Sequence, residues 1–332
     1  MMAGRDNSKK DGEPVVAALD LGGTKLAAAW LTKTGQVEEK QVVPLGRRDG
    51  PAVGRCIRRE VSRLRRLARQ RHKRIVALGI CVPGIAHASS GRVWAPNIRG
   101  WEDYPLREEL EKALADPAVP VVVDSDRAAC IWGEVWRGAA QRCRNAIFMA
   151  VGTGIGAGIL VDGRVLRGAH DSAGAIGWWA LSQPFDPAYV ACGDFESHAS
   201  GAGLAQSAAR LAASLPDYRG PLKRRRGLTA HEVFAAYATG DAVAAQVLHT
   251  AVAYWGAACA NLVSLFNPEK IIFGGGIFGP ATQFLRAIQG EAKKWAQPRA
   301  IQQVKFEASR LGGDAALYGA GHLAWRAGQP DV

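Results

Sequence analysis

A short apolar strand, a glycine-rich turn and a second strand occur twice in this chain, about 130 residues apart. The first turn spans residues 20–25, and the second spans residues 152–156. In each copy a third strand follows after another tight turn, so each copy is predicted to be a three-stranded meander. A repeat on this scale indicates a duplicated domain.

Helices alternate with strands along the rest of the chain, which is typical of the α/β class. The 332 residues are enough for two domains that each bury a core. Further strands are predicted over residues 75–82, 119–123, 270–273 and 304–308. Helices are predicted over residues 106–114, 128–136, 203–213, 241–266, 280–295 and 314–326, and Thr229 with Glu232 predicts a capping box at the start of another.

The net charge of +12 comes mainly from one segment. Residues 55–74 contain ten basic side chains and only one acidic side chain, Glu60. In the same segment Ile57, Val61, Leu64 and Ala68 recur at helical spacing. This pattern favours a helix that packs its apolar face on a sheet and exposes a solvated basic face, rather than a nucleic-acid site. A second basic run covers residues 223–226.

The six cysteines form no CxxC pair and no Cys/His cluster of zinc-finger spacing. Most lie in apolar stretches, and we predict reduced thiols in a cytoplasmic protein. The polar segment from Met1 to Glu13 lacks the apolar core of a secretory signal. The most apolar stretch, residues 146–161, is too short and too rich in glycine for a membrane span, so no membrane partner is expected.

The glycine turns that follow apolar strands are the segments best suited to bind a ligand. Glycine lets backbone N–H groups approach an oxyanion, Thr24 and Lys25 add donors, and Asp20 could hold a metal through water. An ordinary hairpin turn would explain a single such segment equally well. A third glycine turn, at residues 274–276, would make room for a nucleotide base or simply end a strand. The turn at residues 152–156 has neither the pattern of a dinucleotide-binding fold nor that of a Walker A loop.

Taken in order, these turns resemble those of the ROK family (repressor, open reading frame, kinase) of sugar kinases in the actin-like ATPase superfamily. The resemblance runs from about residue 15 to residue 324. The matching segments are a phosphate-1 motif at 20–25, sugar-side signatures at 79–84 and 95–101, a phosphate-2 motif at 152–158, an adenosine segment at 267–276 and a closing motif at 311–315.

The resemblance implies an α/β protein with a two-lobed, actin-like ATPase fold, ribonuclease-H-like mixed sheets and an active-site cleft between the lobes. Residues 14–126 with 314–330 would form the N-terminal lobe. Residues 127–313 would form the C-terminal lobe, which would also carry dimer contacts. It further implies a homodimeric enzyme that transfers the γ-phosphoryl group of ATP–Mg²⁺ to a sugar hydroxyl.

Individual roles follow from the same resemblance. The family's catalytic base corresponds to Asp126, which would take the proton of the hydroxyl as the phosphoryl group arrives. Considered alone, Asp126 could instead be a helix N-cap. The implied Mg²⁺ ligand, acting through water, is Asp20, and the implied sugar-side residues are Asn97, Ser125, Trp178 and Glu196. The residues assigned to ATP are Asp20, Gly22, Gly23, Thr24, Lys25, Gly152, Thr153, Gly154, Gly274, Gly275 and Gly276.

The sugar side departs from the family pattern at three positions. Ser125 replaces the usual Asn before the base, and Ala175 and Trp178 replace a Glu and a His. Because buried polar ligands discriminate strongly between hydroxyl patterns, we expect a glycoside, amino sugar, deoxy sugar or cyclitol as acceptor rather than glucose. Trp178 and Trp179 could stack on this acceptor or on a substituent, or one of them would fill space left by an absent zinc loop.

The family's cysteine-rich zinc motif is also altered. Residues 193–196 read Gly-Asp-Phe-Glu, of which only Glu196 matches the family pattern. Cys192 cannot complete a tetrahedral site without the missing Cys and His ligands, so we predict no structural zinc.

Two other functions stay open at this point. The chain could be a sugar-responsive regulator or a degenerate kinase that binds without turnover, although both phosphate motifs and the base are intact. The short segment before Asp20 also leaves no room for the winged helix of a ROK repressor. The basic helix could bind nucleic acid, which a steep salt dependence would reveal, but we do not expect a nucleic-acid partner.

Overall fold

The computed structural model describes residues 12–223 and 227–328. Its strands are β1 Glu13–Leu21, β2 Lys25–Leu31, β3 Val37–Pro44, β4 Lys73–Val82, β5 Ile85–Ala86, β6 Val93–Trp94, β7 Val121–Ser125, β8 Ala146–Val151, β9 Ile155–Val161, β10 Arg164–Val165, β11 Lys270–Gly274 and β12 Lys305–Ala308. Its α-helices are α1 Gly50–Gln70, α2 Leu106–Leu114, α3 Asp126–Arg137, α4 Asp194–Ala199, α5 Gly201–Ser214, α6 Ala230–Ala238, α7 Ala242–Phe266, α8 Leu285–Trp295, α9 Ala300–Gln303 and α10 Ala315–Gly328.

Two compact units divide these elements. Unit 1 contains the described residues up to Gly138, the segment Arg167–Ser172 and the described residues from Asp314 onward. Unit 2 contains Ala139–Leu166 and Ala173–Gly313. The two units therefore alternate along the sequence, and each is described by itself below.

In unit 1 five strands form one mixed sheet in the order β3-β2-β1-β4-β7. Strands β1 to β3 are antiparallel, whereas β4 runs parallel to β1 and β7 runs parallel to β4. Side chains of β1 alternate between the faces, so that Leu19 packs with α1 and α2 while Ala18 packs with α3 and α10. Burial of both faces explains the nearly continuous apolar run of this strand.

Unit 2 has a sheet of the same design. Its strand order is β10-β9-β8-β11-β12, with an antiparallel meander of β8 to β10 and two further strands parallel to β8. Helices α5 to α8 contribute side chains to its core. The repeat of strand order and direction confirms the predicted duplicated α/β fold with mixed sheets.

Helix α1 is the amphipathic basic helix that the sequence predicts. Ile57, Val61 and Leu64 are at most 1% exposed, which confirms the predicted apolar face. The helix begins before the basic segment, at an N-cap where the Asp49 carboxylate accepts a hydrogen bond from the backbone N–H of Ala52 at 3.3 Å. Several arginines on its flanks bind acidic or carbonyl groups, whereas the outward face exposes Arg55, Arg59, Arg66 and Arg69.

The observed elements differ from the predicted ones in a few places. The helix predicted over residues 280–295 is a 3₁₀ turn, Pro280–Phe284, followed by α8. The two-residue strands β5 and β6 and the short helix α4 were not predicted, because segments of this length show no clear periodicity. Of the second basic run, only Lys223 lies within the described residues.

Other observations concern the predictions about cysteines and membranes. All six cysteine thiols are free, and Cys56, Cys81 and Cys259 are buried. Within residues 12–223 and 227–328, none of the helices combines the length and the apolar character that crossing a bilayer requires. The predicted capping box at Thr229 is present, because Thr229 and Glu232 each bond the other's backbone N–H.

Candidate active site

The carboxyl edge of the unit 1 sheet brings together two of the predicted acidic residues. Asp20 near the end of β1 pairs with Cys81 on β4, and Cys81 pairs with Asp124 on β7. Asp126 follows two residues later, at the first position of α3. Because β1, β4 and β7 run in the same direction, their ends meet at one edge, where ligands bind in open α/β sheets.

Asp20 lies in a partly buried, mixed-charge environment. Burial raises the pKa of its carboxyl group, while the Cys81 thiol and the Lys25 ammonium act in the opposite direction. The thiol Sγ lies 3.3 Å from Oδ1 of Asp20. Asp314 also raises this pKa, and it is held by the Lys40 ammonium, which lies 2.7 Å from both of its oxygens.

Asp20 has the chemistry that a Mg²⁺ site needs. Within the described part of the chain, no group of three or more His, Cys, Asp or Glu side chains could hold a metal ion by itself. Mg²⁺ commonly keeps several waters and binds through one or two carboxylates together with substrate phosphates. A single carboxylate beside the phosphate-1 turn fits this mode of binding.

Asp126 is half-buried at the start of α3. Burial raises the pKa of its carboxyl group to about 6, despite the opposing effect of the neighbouring Arg127 charge. Its Oδ1 accepts a hydrogen bond from the backbone N–H of Arg127 at 2.8 Å. The N-cap of α3 is Ser125, whose Oγ accepts from the N–H of Ala128 at 3.2 Å. The N-cap interpretation of Asp126 is therefore wrong, although one of its carboxylate oxygens bonds a backbone N–H of the first turn.

The phosphate-1 turn joins β1 to β2 as a tight hairpin. The backbone N–H of Gly22 donates to the carbonyl oxygen of Lys25 at 2.9 Å. Asn97 is exposed, and its Nδ2 lies near Gly23, at 3.4 Å from the position that a Cβ would occupy there. Gly23, Thr24 and Lys25 are exposed at the tip. The structure thus places a predicted sugar-side amide next to the predicted phosphate turn.

In unit 2 the phosphate-2 turn is bound to Glu196. The N–H of Gly152 donates to the carbonyl of Gly154 at 2.9 Å, and Oε2 of Glu196 accepts from the N–H of Ile155 at 2.6 Å. A methyl group at Gly154 would lie only 2.7 Å from this carboxylate oxygen. Burial raises the pKa of Glu196, and the Ile155 hydrogen bond lowers it.

A cavity of about 340 Å³ lies in unit 2 beside the same turn. Gly152, Thr153 and Gly276 line it, as do Thr229 and His231 at the start of α6. The other two glycines of the adenosine segment do not line this cavity: Gly274 lies against the ring of Phe148, and Gly275 lies against the carbonyl of Val151. No sequence signal pointed to His231, and Thr229 was identified only as a cap.

The two adjacent tryptophans have different environments. Trp178 ends a 3₁₀ turn, and 58% of its surface is exposed. Trp179 is partly buried against the core of unit 2. Of the two, Trp179 therefore fills space in the protein, and Trp178 remains available to contact a ligand.

The segment in the position of the family's zinc motif is held by Asp194, which is 4% exposed. Its Oδ2 accepts hydrogen bonds from the backbone N–H groups of Leu181 and Ser182, both at 2.7 Å. His198 lies 3.4 Å from its Oδ1 and stacks on Tyr254. The absence of a structural zinc stays a prediction.

An ion pair that the sequence analysis missed lies beside Asp126. Arg167 donates from Nη1 to Oδ1 of Asp124 and from Nη2 to Oδ2, both at 2.6 Å. Asp124 is only 1% exposed. The two residues are 43 positions apart, and neither belongs to a periodic pattern that relates them, so no sequence signal joined them.

Comparisons with known proteins decide the family. The sequence model of the ROK family matches residues 16–327. The chain belongs to the ROK family. It is 32% identical over 312 residues to a glucokinase from Halalkalibacterium halodurans, and the match covers 92% of this chain and 93% of that protein.

Two solved structures are similar over nearly the whole chain. A ROK family glucokinase from Streptomyces griseus, in complex with glucose and AMPPNP, has 27% identity and a TM-score of 0.77, covering 94% of this chain and 99% of that one. A ROK family transcriptional regulator, a homologue of the E. coli MLC protein, has 25% identity and a TM-score of 0.83, covering 95% and 78%. These likenesses confirm the predicted actin-like ATPase fold.

Proposed function

We propose that this ROK family member is an ATP-dependent carbohydrate kinase. Asp126 carries the proposal, because it is a half-buried carboxylate at the carboxyl edge of the unit 1 sheet and is not the N-cap of α3. The glucokinase relative and the glucokinase complex with glucose and AMPPNP support the same activity.

The proposed reaction moves one proton and one phosphoryl group. The oxygen of a sugar hydroxyl attacks the γ-phosphorus, and the bond from that phosphorus to the β,γ-bridging oxygen breaks, so that ADP leaves with the electron pair. The hydroxyl proton passes to the Asp126 carboxylate. With a pKa of about 6, most Asp126 side chains are ionised at neutral pH and can accept it.

We assign the nucleotide to the glycine turns and the cavity. The phosphate-1 turn at residues 20–25 and the phosphate-2 turn at residues 152–156 offer backbone N–H groups to the phosphates of ATP. The cavity beside Gly276 accepts the adenosine part. Mg²⁺, held by Asp20 through water, would neutralise charge on the phosphates when it is bound.

For the sugar we propose Asn97, Ser125 and Glu196 as polar ligands and Trp178 as a stacking surface. Ala175, which is exposed, and Trp178 occupy the positions of the family's Glu and His. The acceptor would therefore meet an apolar surface in place of two polar side chains. We therefore propose a hexose-like acceptor with an altered hydroxyl pattern: a glycoside, amino sugar, deoxy sugar or cyclitol. We further propose a cytoplasmic homodimer whose two lobes correspond to units 1 and 2, with the boundary after Gly138 rather than after residue 126.

A panel of acceptors with ATP–Mg²⁺ tests the function. We expect ADP release with at least one member of the panel, and slower release with glucose than with that acceptor. The panel contains glucose, methyl glucoside, glucosamine, N-acetylmannosamine, 2-deoxyglucose and myo-inositol. Rapid turnover of glucose without preference for any other acceptor would contradict the proposed specificity but not the kinase activity.

The regulator remains the second candidate, because a ROK family transcriptional regulator has a TM-score of 0.83 to this chain. A regulator would bind a sugar of the panel without producing ADP. Calorimetric titration of the same panel in the presence of the non-transferring ATP analogue AMPPNP measures binding, and ADP release with ATP–Mg²⁺ measures turnover. A regulator shows the first without the second.

A further inference from the structure

The Arg167–Asp124 ion pair lies directly before the residue that we assign as the base. Asp124 is near the end of β7, and both of its oxygens receive a nitrogen of the Arg167 guanidinium at 2.6 Å. Oδ1 of Asp124 also accepts from the backbone N–H of Ser125 at 2.8 Å. The pair thus binds the Arg167 guanidinium to the end of β7, directly before Asp126.

Asp124 itself has no part in the proposed chemistry. A carboxylate with both oxygens bound to a guanidinium and 1% exposure can neither take a proton from a substrate nor bind a hydrated metal. Stability is also a weak reason for the pair, since replacing buried ion pairs by apolar side chains is often neutral or stabilising. Bidentate Arg–carboxylate contacts do, however, fix geometry strongly.

The segment that carries Arg167 is anchored to unit 1 at a second point. Oδ2 of Asp171 accepts a hydrogen bond from the backbone N–H of Ala88 at 3.3 Å and lies 3.8 Å from Nδ1 of His87. The segment Arg167–Ser172 belongs to unit 1, although the residues on both sides of it belong to unit 2. The segment that carries Arg167 is therefore held on unit 1 by the Asp171 contacts as well as by the Arg167–Asp124 pair.

We propose that Arg167 is a positioning residue for the base. Through Asp124 it fixes the turn at which β7 becomes α3, and with it the direction of the Asp126 carboxylate. This inference rests on the proposed kinase function. Misplacing a reacting group by about 1 Å can cost about 100-fold in rate, so a lost anchor is expected to act on turnover.

The test compares Arg167→Ala and Arg167→Lys with wild type, using the panel acceptor that wild type turns over fastest. We expect Arg167→Ala to lower kcat about 100-fold while the KM for ATP changes less than about twofold. Arg167→Lys keeps the positive charge but cannot make the bidentate contact, and we expect a kcat between those of wild type and Arg167→Ala. Methylguanidinium is expected to restore part of the kcat of Arg167→Ala, whereas methylammonium is not.

A double variant separates positioning from simple damage. Asp124→Asn combined with Arg167→Ala leaves no unpaired buried charge but also lacks the bidentate contact, so positioning predicts a kcat as low as that of Arg167→Ala. Recovery of kcat in the double variant would show that the unpaired charge of Asp124 caused the loss, and the inference would be wrong. The control is Arg92→Ala, which breaks an Arg–Asp pair in the same unit whose side chains are 40% and 64% exposed. We expect wild-type kcat in this control.

Two results would count against the inference in different ways. If Arg167→Ala has a lower melting temperature but wild-type kcat per folded molecule, the pair is only structural and the inference is wrong. If wild type produces no ADP with any acceptor of the panel, the proposed function itself is overturned, and the inference with it.

Discussion

The sheets of the two units have the same strand order, yet their carboxyl edges carry different residues. Unit 1 has carboxylates there, Asp20 and Asp126. In unit 2 the corresponding strand β8 ends at Val151 before a glycine turn, and β11 ends at Gly274. The shared topology decides where a site can form, and the residues at the strand ends decide which chemistry it performs.

The acidic residues also differ in how each unit holds them. In unit 1 they lie at the ends of strands, where burial raises the pKa of both carboxyl groups and the charge of Asp20 raises the pKa of Asp126 further. In unit 2 the acidic residue of the site, Glu196, comes from the short helix α4 and is bound to the backbone of the turn. We therefore expect proton transfer in unit 1 and ligand orientation in unit 2.

The largest effect should come from removing the base. Asp126→Asn is expected to lower kcat by roughly 10³-fold, within the range for general-base catalysis, because the amide cannot accept the hydroxyl proton. AMPPNP affinity, measured by calorimetry, should change little. The matched control is Asp217→Asn, an exposed position in unit 2, which should keep full activity. Equal kcat in both variants would show that Asp126 is not the base.

Asp126→Asn, which should lower the activity, is expected to stabilise the folded protein. A carboxyl group with a folded pKa of about 6 against 3.8 favours folding when protonated, below about pH 4, and loses that contribution as the pH rises through 6. At pH 7.5 Asp126→Asn is therefore expected to raise the free energy of unfolding by roughly 1–3 kcal/mol. Urea unfolding at pH 7.5 and pH 4 measures this, and an equal gain at both values would contradict it.

The pH dependence of wild type provides the next test. Because Asp126 must be ionised, kcat/KM is expected to fall about tenfold for each pH unit below the pKa of about 6. Steady-state rates between pH 4.5 and 8 give this profile. A flat profile down to pH 5, in an enzyme that stays folded, would mean that another group accepts the proton.

A smaller effect is expected from crowding Glu196 in unit 2. Gly154→Ala would place a methyl group 2.7 Å from Oε2 of Glu196 and displace the carboxylate from the N–H of Ile155. We expect the KM for the sugar to rise several-fold, with a smaller change in kcat, as for a lost orienting hydrogen bond. Gly290→Ala, where a Cβ meets nothing within 4 Å, is the control. A pure loss of kcat would assign Glu196 to the reacting atoms.

The smallest effect should come from the basic face of α1. This helix packs on a face of the unit 1 sheet, and none of its residues belongs to the assigned site. Replacing its four outward arginines by Gln is expected to leave kcat and KM within about twofold of wild type, since exposed charges contribute little. Loss of activity, or loss of a salt-dependent affinity for duplex DNA, would assign this face a role that the sequence did not favour. The four residues are Arg55, Arg59, Arg66 and Arg69.

Sequence reasoning was most successful where a local pattern determines the structure. The glycine hairpins follow from turn chemistry, α2 spans the predicted residues, and the capping box at Thr229 needs only four neighbouring residues. Sequence reasoning favoured the base role for Asp126 but left an N-cap as the alternative; that alternative is wrong, because Ser125 is the cap, and only the backbone distinguishes these two good N-cap residues.

Contacts between distant residues were beyond the sequence patterns. The pairing of Arg167 with Asp124 depends on how the segment Arg167–Ser172 docks on unit 1, and no periodicity encodes that docking. Contacts between distant residues also explain why Gly274 and Gly275 do not line the cavity. Gly274 packs against Phe148 and Gly275 against Val151, both on the neighbouring strand β8.

The position of α10 also has a consequence for how the protein is made. This helix covers the face of the unit 1 sheet that carries Val16 and Ala18, although it is encoded at the opposite end of the sequence. During synthesis the part of that face that α10 covers stays exposed while unit 2, between Ala139 and Gly313, is made. The part of the protein that is started first is therefore finished last, and a chain that is released before α10 presents an uncovered apolar surface to its neighbours.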